Sequence, residues 1–184
     1  QEGKANPLVA SAAFGAAVER AGARILRRTT VLGIERADGG FTVQTTAGPL
    51  RAKRVVNAAG AQSADIAAML GIHLSMQGDP IQVSVTEPVE KLIPHLVYYA
   101  RAPLTMKQTS VGTILIGGGW PARLDKQGRP VANPHSLAMN LGVALEVMPR
   151  LASINVVRTW AAVVNGTADW KPLIGEVPGE PGFY

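Results

Sequence analysis

The stretch RVVNAAGAQS, Arg54 to Ser63, decides how the chain is read. Two β-branched residues, Val55 and Val56, run into Asn57 and then into Ala58, Ala59 and Gly60. That order predicts a buried strand ending in small residues, where a ligand or another backbone comes within contact distance. Ser63 follows with the chemistry of an N-cap, Asp65 stands in the first turn of a short helix to Leu70, and Gly71 lies past its end. A helix N-terminus favours an anion. Spacing alone leaves two readings open: a ligand edge, or tight strand–helix packing without a ligand.

Working outward toward the N-terminus, TTVLGIER (29–36), the turn Asp38-Gly39-Gly40 and FTVQTT (41–46) read as a small meander, closed by Leu50 to Lys53. Before it, Asn6-Pro7 starts a helix whose Ala-rich face allows close packing on a sheet, and Gly22 ends it. Downstream, the character changes at Gly78-Asp79-Pro80. IQVSVTE (81–87), HLVYYAR (95–101), LTMKQTS (104–110) and GTILIGG (112–118) predict strands with little helix between them, hence an antiparallel sheet. Residues 119–133 read as loop. Asn133-Pro134 starts a second long helix with Leu137, Leu141, Leu145 and Met148, and Ala138 and Ala144 beside them, as its apolar stripe, and INVVRTWAAVV (154–164) is a last long strand.

Composition excludes several classes of function. The 184 residues are 47% hydrophobic and 17% charged, a globular balance with no cysteine, so there is no disulfide framework, thiol nucleophile or Cys-ligated zinc site. The net charge of +5 is scattered, without the basic stripe or stacking aromatics of a nucleic-acid surface. No apolar run is long enough to span a membrane. His73, His95 and His135 have no metal spacing, so no metal is expected. Asp169 reads as an Asx-turn residue. Gly117, Gly119 and Ala122 in ILIGGGWPA match the spacing of a dinucleotide fingerprint, which requires a helix directly after Ala122; the following ARLDKQGRPVANP has no helical period. Those glycines instead permit a bend or a close contact. No acid–base pair or nucleophile triad is present, so a cofactor carries the chemistry if the protein is an enzyme.

Taken in order, the Asn-Pro helix, GARILRRTTVLGI, RVVNAAGAQS, a strand ending in TEP, TILIGGG, a helix ending in Met-Pro, and RTWAAVVNGTADWKPLIG resemble the D-amino-acid-oxidase-like flavoproteins over nearly the whole chain. The resemblance implies an α+β fold: an antiparallel or mixed substrate-domain sheet with flanking helices, plus a partial FAD-binding, Rossmann-like portion. The implied division is 1–77 as partial FAD-binding domain, 78–163 as substrate-binding domain and 164–184 as a return segment. It implies FAD as cofactor and oxidation of the C–N bond of an amino acid or secondary amine by hydride transfer to the flavin. Val31, Ala58, Ala59, Gly60 and Ser63 are then the cofactor-binding residues. Tyr98, Tyr99, Arg101, Gln108, Trp160, Asn165 and Thr167 border the substrate.

Three departures qualify that picture. The family's N-terminal G-x-G-x-x-G strand and its glycine-rich C-terminal segment are not in this sequence, so both ends read as cut and the chain as an inactive central fragment retaining little FAD. Gln62 stands where the family commonly has Trp. Val164 stands where glycine-oxidase-like members carry an Arg for the substrate carboxylate, which points to a larger substrate or another cation such as Arg101 or Lys107. The parent is read as cytoplasmic, taking a small amine or amino acid, with room for partner subunits. The rival reading is a non-catalytic binding or interaction module on the same sheet.

Overall fold

The computed structural model describes residues 5–184, which divide into two compact units: Gly78–Val164, and Ala5–Gln77 together with Asn165–Tyr184. Both are α+β.

The discontinuous unit opens with α1 (Pro7–Arg20), whose cap is the one the sequence predicts: Asn6 Oδ1 accepts the Leu8 and Val9 amides at 3.0 and 3.4 Å. Gly22, at φ 87°, turns the chain out of it. None of its residues is buried, so the predicted packing of its Ala-rich face is not seen within the unit. The meander forms β1 (Val31–Ala37), β2 (Gly40–Thr45) and β3 (Leu50–Ala52), paired antiparallel in that order. Its inward residues Ile34 and Phe41 join Ala67, Leu70 and Phe183 in a core of five buried residues.

RVVNAAG departs from its prediction. It is not a buried strand; Val55 makes one parallel bridge to Phe183 and Val56 is 72% exposed. Among the described residues the backbone pairs on one side, through Val55 N to Gly182 O, Tyr184 N to Val55 O and Asn57 N to Tyr184 O. Nor is Ser63 an N-cap. A 3-10 turn, Gly60–Gln62, runs straight into α2 (Ser63–Ala68), and Ser63 already has helical backbone angles.

The other unit is built on a five-stranded sheet. Its strands are β4 (Met76–Thr86), β5 (Val97–Tyr98), β6 (Thr105–Gln108), β7 (Ile114–Gly117) and β10 (Val156–Thr167), in the order β10-β4-β7-β6-β5. The registered pairs β4·β7, β7·β6 and β6·β5 are antiparallel, as predicted. Alternation gives the sheet two faces. Met106, Ile114 and Ile116 point to one face and form the core with Ile93, Leu104, Ala144 and Leu151. Helix α3 (Pro134–Val147) covers that face.

The apolar stripe predicted for α3 is partly borne out: Ala144 is buried and Leu141 and Met148 pack against the core, but the most buried positions also include polar residues. The buried residues are Ser136, Asn140 and Ala144, while Leu145 is exposed. Small and polar residues sit there because the helix lies close on the sheet: Asn140 Nδ2 donates to Gly117 O at 3.0 Å. Gln82, buried in β4, grips the backbone of the α3 cap residue, donating to Asn133 O (3.1 Å) and accepting from Asn133 N (2.7 Å).

The predicted loop 119–133 contains a small hairpin, β8 (Arg123–Leu124) with β9 (Pro130–Val131). A strand therefore follows Ala122, and the dinucleotide reading of GGGWPA falls. Gly118 explains the glycines better: at φ 132°, a Cβ there would lie 2.6 Å from Leu104 N. The glycine admits a crossing backbone, not a phosphate.

Candidate functional site

Two surfaces carry the residues singled out by the sequence, one in each unit. The first is the edge formed by Ala58, Ala59 and Gly60. All three are exposed, and nothing lies within 4 Å of where a Gly60 Cβ would stand. Asn57 holds this edge in shape, accepting Ala59 N on Oδ1 (3.3 Å) and donating from Nδ2 to Ser63 O (2.8 Å). From the returning segment, Asn165 Nδ2 donates to Gly60 O. A groove of about 630 Å³ lies in the same unit, lined by Asn57, His73, Asn165, Thr167, Trp170 and Tyr184 among others. Exposed backbone free of large side chains, held by two asparagines, fits one edge of an extended planar cofactor. Ser63 does not share that exposure; it is buried at 9%. Val31 is half-buried against the unit's core, beside an irregular step in the β1–β2 register.

The segment following Asn165 is a stitched turn. Thr167 Oγ1 lies 2.8 Å from Lys171 O and 3.0 Å from Asp169 Oδ1, and Lys171 N donates to Asp169 Oδ1 at 3.1 Å. This is the Asx-turn predicted for Asp169. Trp170, at φ 57°, lays its ring 3.4 Å from where a Gly166 Cβ would stand. The Lys171 amide, then the Thr167 hydroxyl, hold the Asp169 carboxyl below its ordinary value of 3.8. A depressed carboxyl contributes stability above its unfolded pKa and loses it as pH falls through the folded one. Acidification below the ordinary carboxylate range is therefore expected to lower the protection factor of the Lys171 amide, the ratio of the unstructured chain's exchange rate to its own at the same pH. Asp169→Asn should remove that pH dependence while keeping an acceptor for the amide.

The second surface is the face of the five-stranded sheet opposite α3. Val83, Val85, Thr105, Lys107 and Leu115 are half-buried there, each alternating with a fully buried neighbour on the helix side. A Cβ on Gly117 would touch Thr105 Oγ1 and Val83 Cγ2 at 3.4 Å, which places the two on a shared face. Ser84 and Thr159 meet through their hydroxyls at 3.0 Å on the helix side, so Arg158, Trp160 and Val164 lie on the open side. Arg158 stacks over the Trp160 ring with Cζ 5.0 Å from its centroid.

The substrate-facing set predicted from sequence separates in the structure. Tyr98, paired with Thr105, belongs to the open face and is 64% exposed. Tyr99 does not, since its hydroxyl donates to Glu146 Oε1 on α3 at 2.7 Å, a bond that raises the phenol above its ordinary value. Arg101 lies exposed in the loop after β5. Gln108 is a correction: it is 3% exposed and its amide is consumed by backbone. Its Oε1 accepts Leu92 N and Ile93 N at 2.8 and 3.0 Å, and its Nε2 reaches the carbonyls of Val89, Glu90 and Gly112. Trp160 is on the open face, whereas Asn165 and Thr167 belong to the other unit. Arg158 escapes a sequence-only reading, although its two-residue spacing from Trp160 in a strand marks it as a same-face neighbour. Among the described residues no cluster of acidic or histidine side chains is arranged to hold a metal, and no helix is long and apolar enough to cross a membrane.

Comparison with known proteins gives a consistent picture. The family model described as FAD dependent oxidoreductase matches residues 1–184. An opine oxidase subunit of Agrobacterium tumefaciens (strain Ach5) is 30% identical over 183 residues, covering 100% of this chain and 47% of that protein. Among solved structures, L-proline dehydrogenase from P. horikoshii superposes with a TM-score of 0.83 at 25% identity, covering 99% of this chain and 50% of that one. Glycine oxidase from Geobacillus kaustophilus gives 0.76 at 26% identity, covering 94% and 46%. The chain thus spans about half the length of the curated relatives it matches.

Proposed function

The chain belongs to the FAD dependent oxidoreductase family, and from that premise we propose that it is the central part of an enzyme oxidising the C–N bond of an amino acid or secondary amine. The observation that carries the reading is the open sheet face, with Tyr98 and Trp160 on its two edge strands and Val83, Val85 and Leu115 between them. Bound FAD would supply the electron sink for a hydride leaving the substrate carbon. The residues that would lie along it are Ala58, Ala59 and Gly60, kept in place by Asn57 and Asn165. Ser63, though buried, contributes through its carbonyl's bond to Asn57. On the substrate side, Tyr98 and Trp160 orient the amine and exclude water by their bulk. Val164 offers the substrate carboxylate no ion pair.

Similarity to proteins named as subunits supports partner subunits for the parent. We propose a cytoplasmic parent, a location that the absence of cysteine from these 184 residues fits. The test is to express the full-length parent, record its visible spectrum and add N-alkyl amino acids without oxygen. A yellow protein whose flavin band bleaches is expected. A colourless protein would transfer the case to the rival, a non-catalytic binding module. The residues 1–184 alone are expected to bind little FAD.

A further inference from the structure

Of the six asparagines in the chain, Asn165 is the one followed by glycine. The five others precede Pro7, Ala58, Pro134, Leu141 and Val156. That difference is chemical. The backbone nitrogen of the next residue is the nucleophile that attacks an asparagine side chain at Cγ. Proline has no N–H to supply it. Ala, Leu and Val crowd the approach with a Cβ, and Val with a branched one. Glycine does neither.

The fold leaves this pair approachable and ties it down by a single side-chain bond. Asn165 and Gly166 are half-buried at the end of β10. The nearest atoms to a Cβ built on Gly166 belong to the Trp170 ring, at 3.4 Å. Trp170 is itself 72% exposed, so this cover faces solvent. Asn165 Nδ2 donates to Gly60 O. That nitrogen is the leaving group of the reaction. The bond anchors the side chain toward Gly60, and it has to break before Cγ turns onto Gly166 N.

We infer that Asn165 is a site of spontaneous deamidation, restrained by its bond to Gly60. The step balances without an oxidant or a metal. Gly166 N bonds to Asn165 Cγ, the Cγ–Nδ2 bond breaks, and the Gly166 proton passes to the departing nitrogen, which leaves as ammonia. Water then opens the cyclic imide at either carbonyl, giving aspartate or isoaspartate. Both products lose the donor, since an ionised carboxylate only accepts. A carboxylate then faces Gly60 O, acceptor against acceptor. The Ala58–Gly60 edge loses its tie to the returning segment and keeps those of Asn57. Isoaspartate also inserts a methylene into the main chain directly before Gly166, beside the turn that Thr167, Asp169 and Lys171 stitch together. Neither the step nor its readout involves flavin, so the site stands apart from the oxidoreductase reading.

The test stores the full-length protein in mildly alkaline buffer, folded and in urea, and follows it by peptide mass spectrometry with an isoaspartate methylation assay. The peptide carrying Asn165 should gain one mass unit ahead of those carrying the five other asparagines, with isoaspartate present. In urea the gain should be about tenfold faster than in the folded protein, the effect of releasing one hydrogen bond. Gly166→Ala in urea should bring Asn165 down to the rate of Asn57, which already precedes alanine. In the folded protein the consequence is read by hydrogen exchange. Asn165→Asp should speed exchange at the Ala59 and Gln62 amides, which bond within the edge. Asn165→Gln retains a donor and should speed it less. Asn165 modified no faster than Asn57, equal rates in the folded protein and in urea, or exchange in Asn165→Asp matching wild type would each overturn the inference. Should Asn165→Asp fail to fold, the rates of the wild-type asparagines, folded against urea, still decide it.

Discussion

Replacing Gln108 by Leu is expected to lower stability by about 3–5 kcal/mol, the cost of stranding several buried backbone groups at about 1–3 kcal/mol each after partial relaxation. The side chain closes a circuit: Oε1 takes the amides of Leu92 and Ile93, and Nε2 gives to the carbonyls of Glu90 at 2.8 Å and Gly112 at 2.9 Å. Residues 89–93 form no helix or strand, so these groups have no ladder to satisfy them. Leu has similar volume and no polar atom, which isolates the hydrogen bonds from packing. Urea unfolding should show the midpoint fall at unchanged slope. An unchanged midpoint with a raised KM would restore Gln108 to the substrate.

That residue shows where the sequence is legible and where it is not. At two-residue spacing Gln108 shares a face with Met106, and both are buried. A lone glutamine in an alternating strand nevertheless reads as a polar residue facing a ligand, because the groups it serves lie in a loop some fifteen residues earlier. Local signals carry through. Asn6 and Asn133 cap their helices because the cap needs only the next few residues, with Asn133 Oδ1 accepting His135 N at 3.1 Å. The alternation of residues 41–45 survives as β2 for the same reason. Features set by distant partners do not show in the local pattern. The buried stripe of α3 is Ser136, Asn140 and Ala144 because β7 approaches closely there. Residues 54–57 read as a strand buried on its own merits, whereas their order comes from residues 182–184.

That dependence gives the second large effect. Phe183→Ala should cost about 3–5 kcal/mol, since the ring is 1% exposed and its unit has only five buried core residues to absorb a cavity. The lost neighbour of Phe41, whose ring centroid lies 6.3 Å away at 54°, adds to the deficit. The consequence for the candidate site is specific. Phe183 sits between Gly182 and Tyr184, whose carbonyls accept the Val55 and Asn57 amides at 2.9 and 2.7 Å. Loosening the ring therefore frees the segment that carries Asn57, and with it the Ala58–Gly60 edge that Asn57 holds. In the full-length protein, hydrogen exchange at the Val55 and Asn57 amides should accelerate well beyond that in β2, and bound flavin should be lost more readily. Phe183→Leu keeps apolar volume and should cost roughly 1–2 kcal/mol with most of the protection retained. If Phe183→Ala left the Val55 and Asn57 amides protected, the order of RVVNAAG would be intrinsic to its own valines, and the sequence-based reading of a self-sufficient strand would be the correct one.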